Sequence, residues 1–156
     1  MTSEILTVPH NVEAEQSVIG GLLLDDDNSE RVQKVLAMLK PESFYIRVHQ
    51  IVFAELRDMF RANKPVDGLT LFDSLESKGL TEQIGGFAYI AQIAKNTPSA
   101  ANIVAYAASV REAAMERYGI SRLTEATELL YSRNGMSATQ KYEAIQGIFT
   151  QLADHS

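Results

Sequence analysis

The fold of this chain is decided by residues 99 to 152, SAANIVAYAASVREAAMERYGISRLTEATELLYSRNGMSATQKYEAIQGIFTQL. Residues 100 to 133 contain no proline and a single glycine, Gly119, and only Ser99 separates them from Pro98. Ser99 is therefore predicted to cap one long helix that starts at Ala100. At about 1.5 Å per residue, such a helix reaches roughly 50 Å, which is more than a small domain needs to cover its own core.

A second helix is predicted directly after the first. Gly135 suits the left-handed position that ends a helix, and Ser137 with Gln140 has the spacing of a capping box. The apolar residues that follow recur every three or four positions and are Tyr142, Ile145, Phe149 and Leu152. Because the connection is short, the two helices are expected to be antiparallel neighbours that form a hairpin. Such an arm docks on a second subunit or a partner, and the alternative is that it packs on its own domain.

The rest of the chain is predicted to be helical as well. Asn11 is a candidate cap for the first helix, and four further apolar-periodic segments follow before residue 98. Two adjacent glycines, Gly20 and Gly21, lie inside the first helix and indicate that another element crosses closely there. The predicted fold is thus all-α, with a loose lead-in at 1–8, a globular bundle at 9–98 and the helical hairpin at 99–153.

Composition limits the function classes. The 156 residues are 46% hydrophobic and 22% charged, with a formal net charge of −6, as in an ordinary globular protein. Lysines are scattered singly, so no cluster predicts a dedicated nucleic-acid surface. Cysteine is absent, which excludes disulfides and thiolate chemistry. We expect the cytoplasm, because the first residues do not resemble a secretory signal and no apolar run is long enough to cross a membrane.

Motifs for catalysis or cofactor binding are missing from the sequence. No Gly-x-x-x-x-Gly-Lys-Ser/Thr loop is present, and the three histidines, at positions 10, 49 and 155, lack metal-ligand spacing. Asp25-Asp26-Asp27 is interpreted as a solvated turn, because three successive carboxylates on a helix end splay apart. The residues therefore favour an interaction module without a metal or cofactor. The alternative from another class is a small all-α enzyme that uses scattered acids or His49.

Four blocks of sequence carry a resemblance to a known family. They are PHNVEAEQSVIGGLLLD at 9–25, FYIRVHQIVF at 44–53, GGFAYIAQIAKNTPSAANIVAYA at 85–107 and VREAA at 110–114. In content, order and spacing, these blocks resemble the opening of bacterial DnaB-type replicative helicases, whether chromosomal or carried by a phage or plasmid. The resemblance covers nearly the whole chain. It implies the amino-terminal domain alone, as an excised fragment or a truncated relative.

The family resemblance implies a role in assembly. In that family, this domain pairs through its hairpin, three such pairs form a collar on the hexameric ring, and primase docks on the outside of the collar. A helicase loader is a further candidate partner, and DNA is a partner only of the full ring. The family's ATP and magnesium ion belong to a motor domain that is absent here, so this chain is expected not to be an enzyme.

The resemblance also implies particular contact residues. The positions that would face primase are Glu13, Tyr89, Ile120 and Ala126, and the self-association residues are Tyr142, Ile145, Phe149 and Leu152. Ala126 departs from the family pattern, which has a larger aliphatic residue there. Three of the positions that would face primase also have a structural alternative: Glu13 suits the first turn of a helix, Tyr89 suits the core, and Ile120 suits the interior of the hairpin.

Overall fold

The computed structural model describes residues 6–25 and 29–155 of the chain. Within these residues, the secondary structure is helical throughout, which confirms the predicted all-α class. A short 3₁₀ turn occupies Pro41–Ser43. The seven α-helices are α1 Val12–Leu24, α2 Glu30–Met38, α3 Arg47–Arg61, α4 Gly68–Ser77, α5 Phe87–Asn96, α6 Ile103–Tyr131 and α7 Ala138–His155. Asp26 and Asp27 of the predicted solvated turn lie outside the described residues.

Side-chain caps start three of the short helices, and the cap predicted at Asn11 is confirmed. The Asn11 side chain accepts a hydrogen bond of 3.0 Å from the Ala14 N–H at the start of α1. At α4, the carboxylate of Asp67 accepts from the Thr70 N–H at 2.8 Å, and the Thr70 hydroxyl accepts from the Asp67 N–H at 2.9 Å. These bonds satisfy donors that have no partner inside a helix, so they specify where each helix begins.

The long helix α6 begins later than predicted. It starts at Ile103 and not at Ala100, so the predicted helix cap at Ser99 is wrong. The Ser99 hydroxyl instead accepts a hydrogen bond of 3.3 Å from the Ala101 N–H, in a turn that precedes the helix. Serine side chains bond nearby backbone N–H groups in turns as well as in helix caps, and the sequence pattern does not distinguish the two uses.

The chain divides into two compact units. The first, the bundle, comprises residues 10–112, and the second, the arm, comprises the described residues of 6–9 and 113–155. The division differs from the expected boundary at residue 99. The reason is that Ile103, Ala107 and Val110, on the first turns of α6, are buried in the core of the bundle.

The core of the bundle is formed by apolar side chains from α1 to α5 and the start of α6. Among its fully buried large residues are Ile19, Leu22, Phe44, Phe53, Leu56, Leu71, Leu75, Ile84, Ile90 and Ile103. Burying one such side chain contributes about 1.5–3 kcal/mol. The bundle therefore has a core that holds α1 and α5 in fixed positions.

The adjacent glycines of α1 lie at a close approach, as predicted. A Cβ atom on Gly20 would overlap the side chain of Thr97, which follows α5, and a Cβ on Gly21 would press on Ile103. Thr97 has little freedom to move, because it is β-branched and its hydroxyl donates a 2.8 Å hydrogen bond to the Ile93 carbonyl. Gly119 of α6, in contrast, has nothing within 4 Å of such a Cβ.

Substitution of these glycines by alanine is expected to have opposite effects. Gly20→Ala should lower the free energy of unfolding by about 1–3 kcal/mol, because the methyl group forces Thr97 to shift. Gly119→Ala should raise it by about 0.5–1 kcal/mol, because alanine favours a helix and no atom obstructs it. Urea unfolding followed by circular dichroism at one protein concentration measures both. An increase in the free energy of unfolding of the Gly20→Ala variant would contradict the close approach of Thr97 to α1.

The arm contains an antiparallel hairpin of α6 and α7. Tyr118 stacks on His155 with ring centroids 3.9 Å apart, Arg122 donates to Gln151, and Lys141 bonds the carbonyl of Ser132. These contacts pair successively later residues of α6 with successively earlier residues of α7, which confirms the predicted antiparallel arrangement. The structure also confirms the capping box, in which Ser137 and Gln140 exchange hydrogen bonds of 3.1 and 2.8 Å.

Lys141 closes the tip of the hairpin. Its side chain is largely buried, and its ammonium group donates to the Ser132 carbonyl at 2.6 Å and to the Leu130 carbonyl at 3.4 Å. Carbonyls at the end of a helix have no partner within the helix and carry partial negative charge, so a lysine there is stabilising. Gly135, with a φ of 85°, supplies the left-handed residue of the turn.

Candidate protein-interaction site

Two of the predicted contact residues, Glu13 and Tyr89, lie at one cavity of the bundle. The cavity has a volume of about 300 Å³ and opens between α1 and α5. Most of the residues that line it are polar, and the lining comprises Glu13, Gln16, Ser17, Tyr89, Gln92, Ile93, Asn96 and Thr97. The structure thus brings together two positions that are 76 residues apart in the sequence.

Tyr89 belongs to a hydrogen-bonded network beside this cavity. Its hydroxyl lies 2.7 Å from Nε2 of His49, and it accepts a hydrogen bond of 3.2 Å from the side-chain amide of Gln16. The rings of Tyr89 and His49 are stacked with centroids 5.9 Å apart. Tyr89 is half-buried, so its ring is packed while part of the residue lines the cavity.

Glu15 anchors the inner end of the network. This carboxylate is only 1% exposed and accepts hydrogen bonds from the Tyr45 N–H at 2.7 Å, the Ile46 N–H at 3.2 Å and Nδ1 of His49 at 2.8 Å. Burial opposes ionisation of the carboxyl group, but these hydrogen bonds and the nearby imidazole lower the pKa of Glu15 below its usual value. An ionised, fully bonded carboxylate therefore connects α1 to the start of α3.

No local sequence pattern predicts this network. Glu15 fits a first-turn carboxylate that favours the helix dipole, and His49 fits a structural histidine, but their pairing was not predicted. The structure agrees that His49 is structural, since it is fully buried with both ring nitrogens bonded. The two residues are 34 positions apart, and no local periodicity signals a contact over that distance.

Glu13 differs from Glu15 although both lie in the first turn of α1. Its side chain is exposed, and among the described residues its carboxylate has no hydrogen-bond or ion-pair partner. It is also the one charged group in the lining of the cavity. The rim of the cavity therefore carries a negative charge that is not neutralised within the described part of the chain.

The two predicted positions on α6 differ in accessibility. Ile120 is 44% exposed, although an isoleucine there also suited the interior of the hairpin. Ala126 is 5% exposed and lies inside the arm, so its methyl group offers little surface to a partner. Two further apolar side chains, Leu123 and Leu130, are 42% and 47% exposed. The second half of α6 thus presents an apolar outer surface.

Two of the four predicted self-association residues lie on the outer side of α7, and the other two lie at its edge. Tyr142 and Phe149 are 64% and 56% exposed, and Ile145 and Leu152 are half-buried. The inner side of the helix is formed instead by Lys141 and Ile148, which are buried. Because Tyr142, Ile145, Phe149 and Leu152 follow a three-and-four spacing, they form one stripe, here called the α7 stripe.

The described residues form neither a metal site nor a membrane-spanning helix. No group of three or more histidine, cysteine, aspartate or glutamate side chains converges to hold a metal ion in these segments. None of the helices in this part of the chain is long and apolar enough to span a membrane.

Comparison with known sequences identifies relatives of the chain. The sequence model of the family described as DnaB-like helicase N terminal domain matches residues 7–112. The replicative DNA helicase DnaB of Pasteurella multocida is 41% identical over 128 residues, which cover 82% of this chain and 27% of the relative. The DnaB of Haemophilus influenzae is 38% identical over 135 residues, which cover 86% of this chain and 28% of the relative. The chain thus spans little more than a quarter of these relatives.

Solved structures show the same fold. The crystal structure of the N-terminal domain of DnaB helicase from Mycobacterium tuberculosis superposes with a TM-score of 0.85 at 31% identity, covering 93% of this chain and 99% of that one. A DnaB-like replicative helicase, solved in a study of its interactions with primase, has a TM-score of 0.72 at 22% identity. That match covers 91% of this chain and 31% of the other, and at this identity the likeness concerns the fold alone.

Proposed function

Because this chain belongs to the family of DnaB-like helicase N-terminal domains, we propose that it acts as the amino-terminal collar domain of a hexameric replicative helicase. In this role, the chain pairs with a second copy through its arm, and three pairs form the collar. The collar then provides the docking surface for primase. This function is one of assembly, and the proposed site of action is the cytoplasm.

The observation that carries the proposal is the α7 stripe. A helix of a monomeric protein turns its apolar side inward, yet Tyr142 and Phe149 are among the most exposed large apolar side chains of the described residues. Exposed apolar surface of this kind marks a protein–protein interface. A second copy of the arm would cover the stripe with an identical one, as two-fold symmetric interfaces require.

Primase docking is proposed for the outer surface of α6 and for the cavity of the bundle. Ile120 is an accessible apolar residue of the arm, and Glu13 and Tyr89 lie together at the cavity. Copies of one weak contact around a ring raise the effective concentration of the partner, so the collar needs no single tight site. The buried Ala126 supports this docking through the packing of the arm and not through direct contact.

The remaining partners follow from the same proposal. ATP and magnesium would act in a motor domain of the full-length helicase, with no cofactor held by the residues of this chain. A helicase loader is a further partner to test. DNA would be a partner of the assembled ring and not of this domain alone. The scattered lysines and the net charge of −6 do not favour binding to the phosphates of DNA.

Ile120→Asp is expected to weaken primase binding without preventing self-association. A carboxylate at the centre of an apolar contact should lower the affinity about tenfold or more, as for other central interface residues. Calorimetric titration with the helicase-binding domain of the cognate primase measures this loss, and sedimentation measures the assembly. Leu69→Asp is the matched control, since Leu69 is an exposed apolar residue of α4 in the bundle.

Two results would contradict the docking proposal. Wild-type chain that fails to bind the primase domain at high concentration would overturn it outright. Equal loss of affinity in Ile120→Asp and Leu69→Asp would show that the effect comes from added charge, and would remove Ile120 from the interface.

A further inference from the structure

The connection between α6 and α7 contains an asparagine followed by a glycine, Asn134-Gly135. The side-chain amide of an asparagine can react with the backbone nitrogen of the next residue, because the attack closes a succinimide ring. A glycine in the second position leaves that nitrogen unhindered, since glycine has no Cβ atom. Both residues are exposed and lie outside the helices. Water and hydroxide therefore reach the groups that would react.

The structure leaves the attacking nitrogen free. A backbone N–H in a helix or turn usually donates to a carbonyl, and that bond has to break before the nitrogen can attack. In the part of the chain that the structure describes, the Gly135 N–H donates no hydrogen bond. The left-handed backbone of Gly135, with a φ of 85°, turns the chain at this point without one.

The side chain of Asn134 is folded over the same peptide. Its Oδ1 accepts a hydrogen bond of 3.1 Å from the Met136 N–H, as in an Asx turn. The ring that this bond closes includes the Gly135 nitrogen. When that nitrogen attacks Cγ of Asn134, negative charge develops on Oδ1, and a donor already placed there stabilises it. The hairpin tip thus combines a free nucleophile with a polarised carbonyl group.

Asn63, just after α3, provides a contrast within the same chain. It is also exposed, and its φ of 55° places it outside the helix. The following residue is Lys64, whose N–H donates a hydrogen bond of 3.0 Å to the Met59 carbonyl. Attack at Asn63 would have to break this bond and pass the Cβ atom of the lysine. Two exposed asparagines therefore differ in the freedom of the neighbouring nitrogen.

We propose that Asn134 is a site of spontaneous deamidation, which converts it to aspartate and isoaspartate. In the first step, a bond forms between the Gly135 nitrogen and Cγ of Asn134, the Cγ–Nδ2 bond breaks, and ammonia leaves with the former Gly135 amide proton. Water then opens the succinimide ring. Opening at Cγ gives aspartate, and opening at the backbone carbonyl gives isoaspartate. The isoaspartyl carboxylate is the chemical group that isoaspartyl methyltransferases modify with S-adenosylmethionine.

The products would change the tip of the hairpin. Isoaspartate lengthens the backbone of the connection by one atom, and both products add a negative charge. The connection is short, and its ends are held by the Ser137–Gln140 box and by the 2.6 Å bond from Lys141 to the Ser132 carbonyl. Neither the site nor its chemistry depends on the proposed collar function.

The test follows both asparagines in the full chain, incubated at neutral pH in buffer and in guanidinium chloride. Digestion after glutamate at mildly acidic pH, where the reaction is slow, releases residues 129–143 and 56–76 for mass spectrometry. In the folded chain, Asn134 should deamidate roughly tenfold or more faster than Asn63, because a backbone hydrogen bond must break at Lys64. In guanidinium chloride, Asn63 should react faster than in buffer, and Asn134 should change little.

Two results would overturn the proposal. Asn134 that stays intact in the folded chain but reacts in the unfolded chain would show that the hairpin tip protects its amide. Equal rates at Asn63 and Asn134 in the folded chain would show that the free Gly135 nitrogen gives no advantage.

Asn134→Gln is the matched control, because it keeps an amide at this position but requires a larger ring for the attack. In this variant, isoaspartyl methyltransferase with labelled S-adenosylmethionine should no longer label residues 129–143. Label that persists in this peptide would contradict the assignment to Asn134.

Discussion

Replacement of Glu15 by glutamine is expected to lower the free energy of unfolding by about 2–4 kcal/mol at neutral pH. The variant keeps the volume of the side chain but loses the negative charge that three donors surround, namely Tyr45 N–H, Ile46 N–H and His49 Nδ1. Removing the charge of a buried, hydrogen-bonded carboxylate is strongly destabilising, because the three donors around it are left desolvated and poorly paired. Urea unfolding measures the loss.

Glu30→Gln is the matched control for this loss. Both glutamates occupy the first turn of a helix, so both substitutions remove the same favourable interaction with the helix dipole. Since Glu30 is exposed, its substitution should change the stability by no more than about 0.5 kcal/mol. Similar losses in the two variants would show that the buried network contributes little, and would contradict the account of Glu15.

The contribution of Glu15 to the free energy of unfolding is also expected to depend on pH. The pKa of Glu15 is lower in the folded chain than its usual value of 4.5. The carboxyl group therefore stabilises the fold fully above the unfolded value, and this contribution is lost as the pH falls through the lower pKa of the folded state. The difference in stability between wild type and Glu15→Gln should shrink when unfolding is measured from pH 7 to pH 3. A stability difference that stays constant over this pH range would contradict the lowered pKa of Glu15.

Substitution of Phe149 by aspartate is expected to convert a dimer into a monomer. Phe149 is 56% exposed on the α7 stripe, so the chain by itself gains little from burying it. In a dimer, the stripe of one copy would pack on that of the other, and a carboxylate placed there would be buried without a partner. The dissociation constant should rise about 100-fold or more, which corresponds to roughly 2.7 kcal/mol.

Sedimentation across a concentration range tests this prediction. The Leu69→Asp variant adds the same charge at an exposed position of α4 and should remain a dimer, as should Ile120→Asp. Unchanged circular dichroism would show that Phe149→Asp still folds. Wild-type chain that is monomeric at every concentration would contradict the proposed pairing through the arm.

The start of α6 and the boundary between the bundle and the arm differ from what the local sequence patterns predict. The turn at Ser99 and the start of α6 at Ile103 reflect competition between two uses of a serine side chain. The assignment of residues 103–112 to the bundle depends on burial of Ile103 and Ala107 against other helices. A helical period shows which residues share a face, but it does not show which neighbour covers that face.

The sequence by itself determined the helices, the hairpin and the family. Asn11, Asp67 and the Ser137–Gln140 box act within a few residues of the backbone they cap, so local chemistry is sufficient to place them. Only the tertiary structure showed the buried Glu15–His49 pair, its link to Tyr89 and the polar cavity beside them. These contacts join residues 34 and 40 positions apart, and their pairing depends on how the helices pack and not on any local pattern.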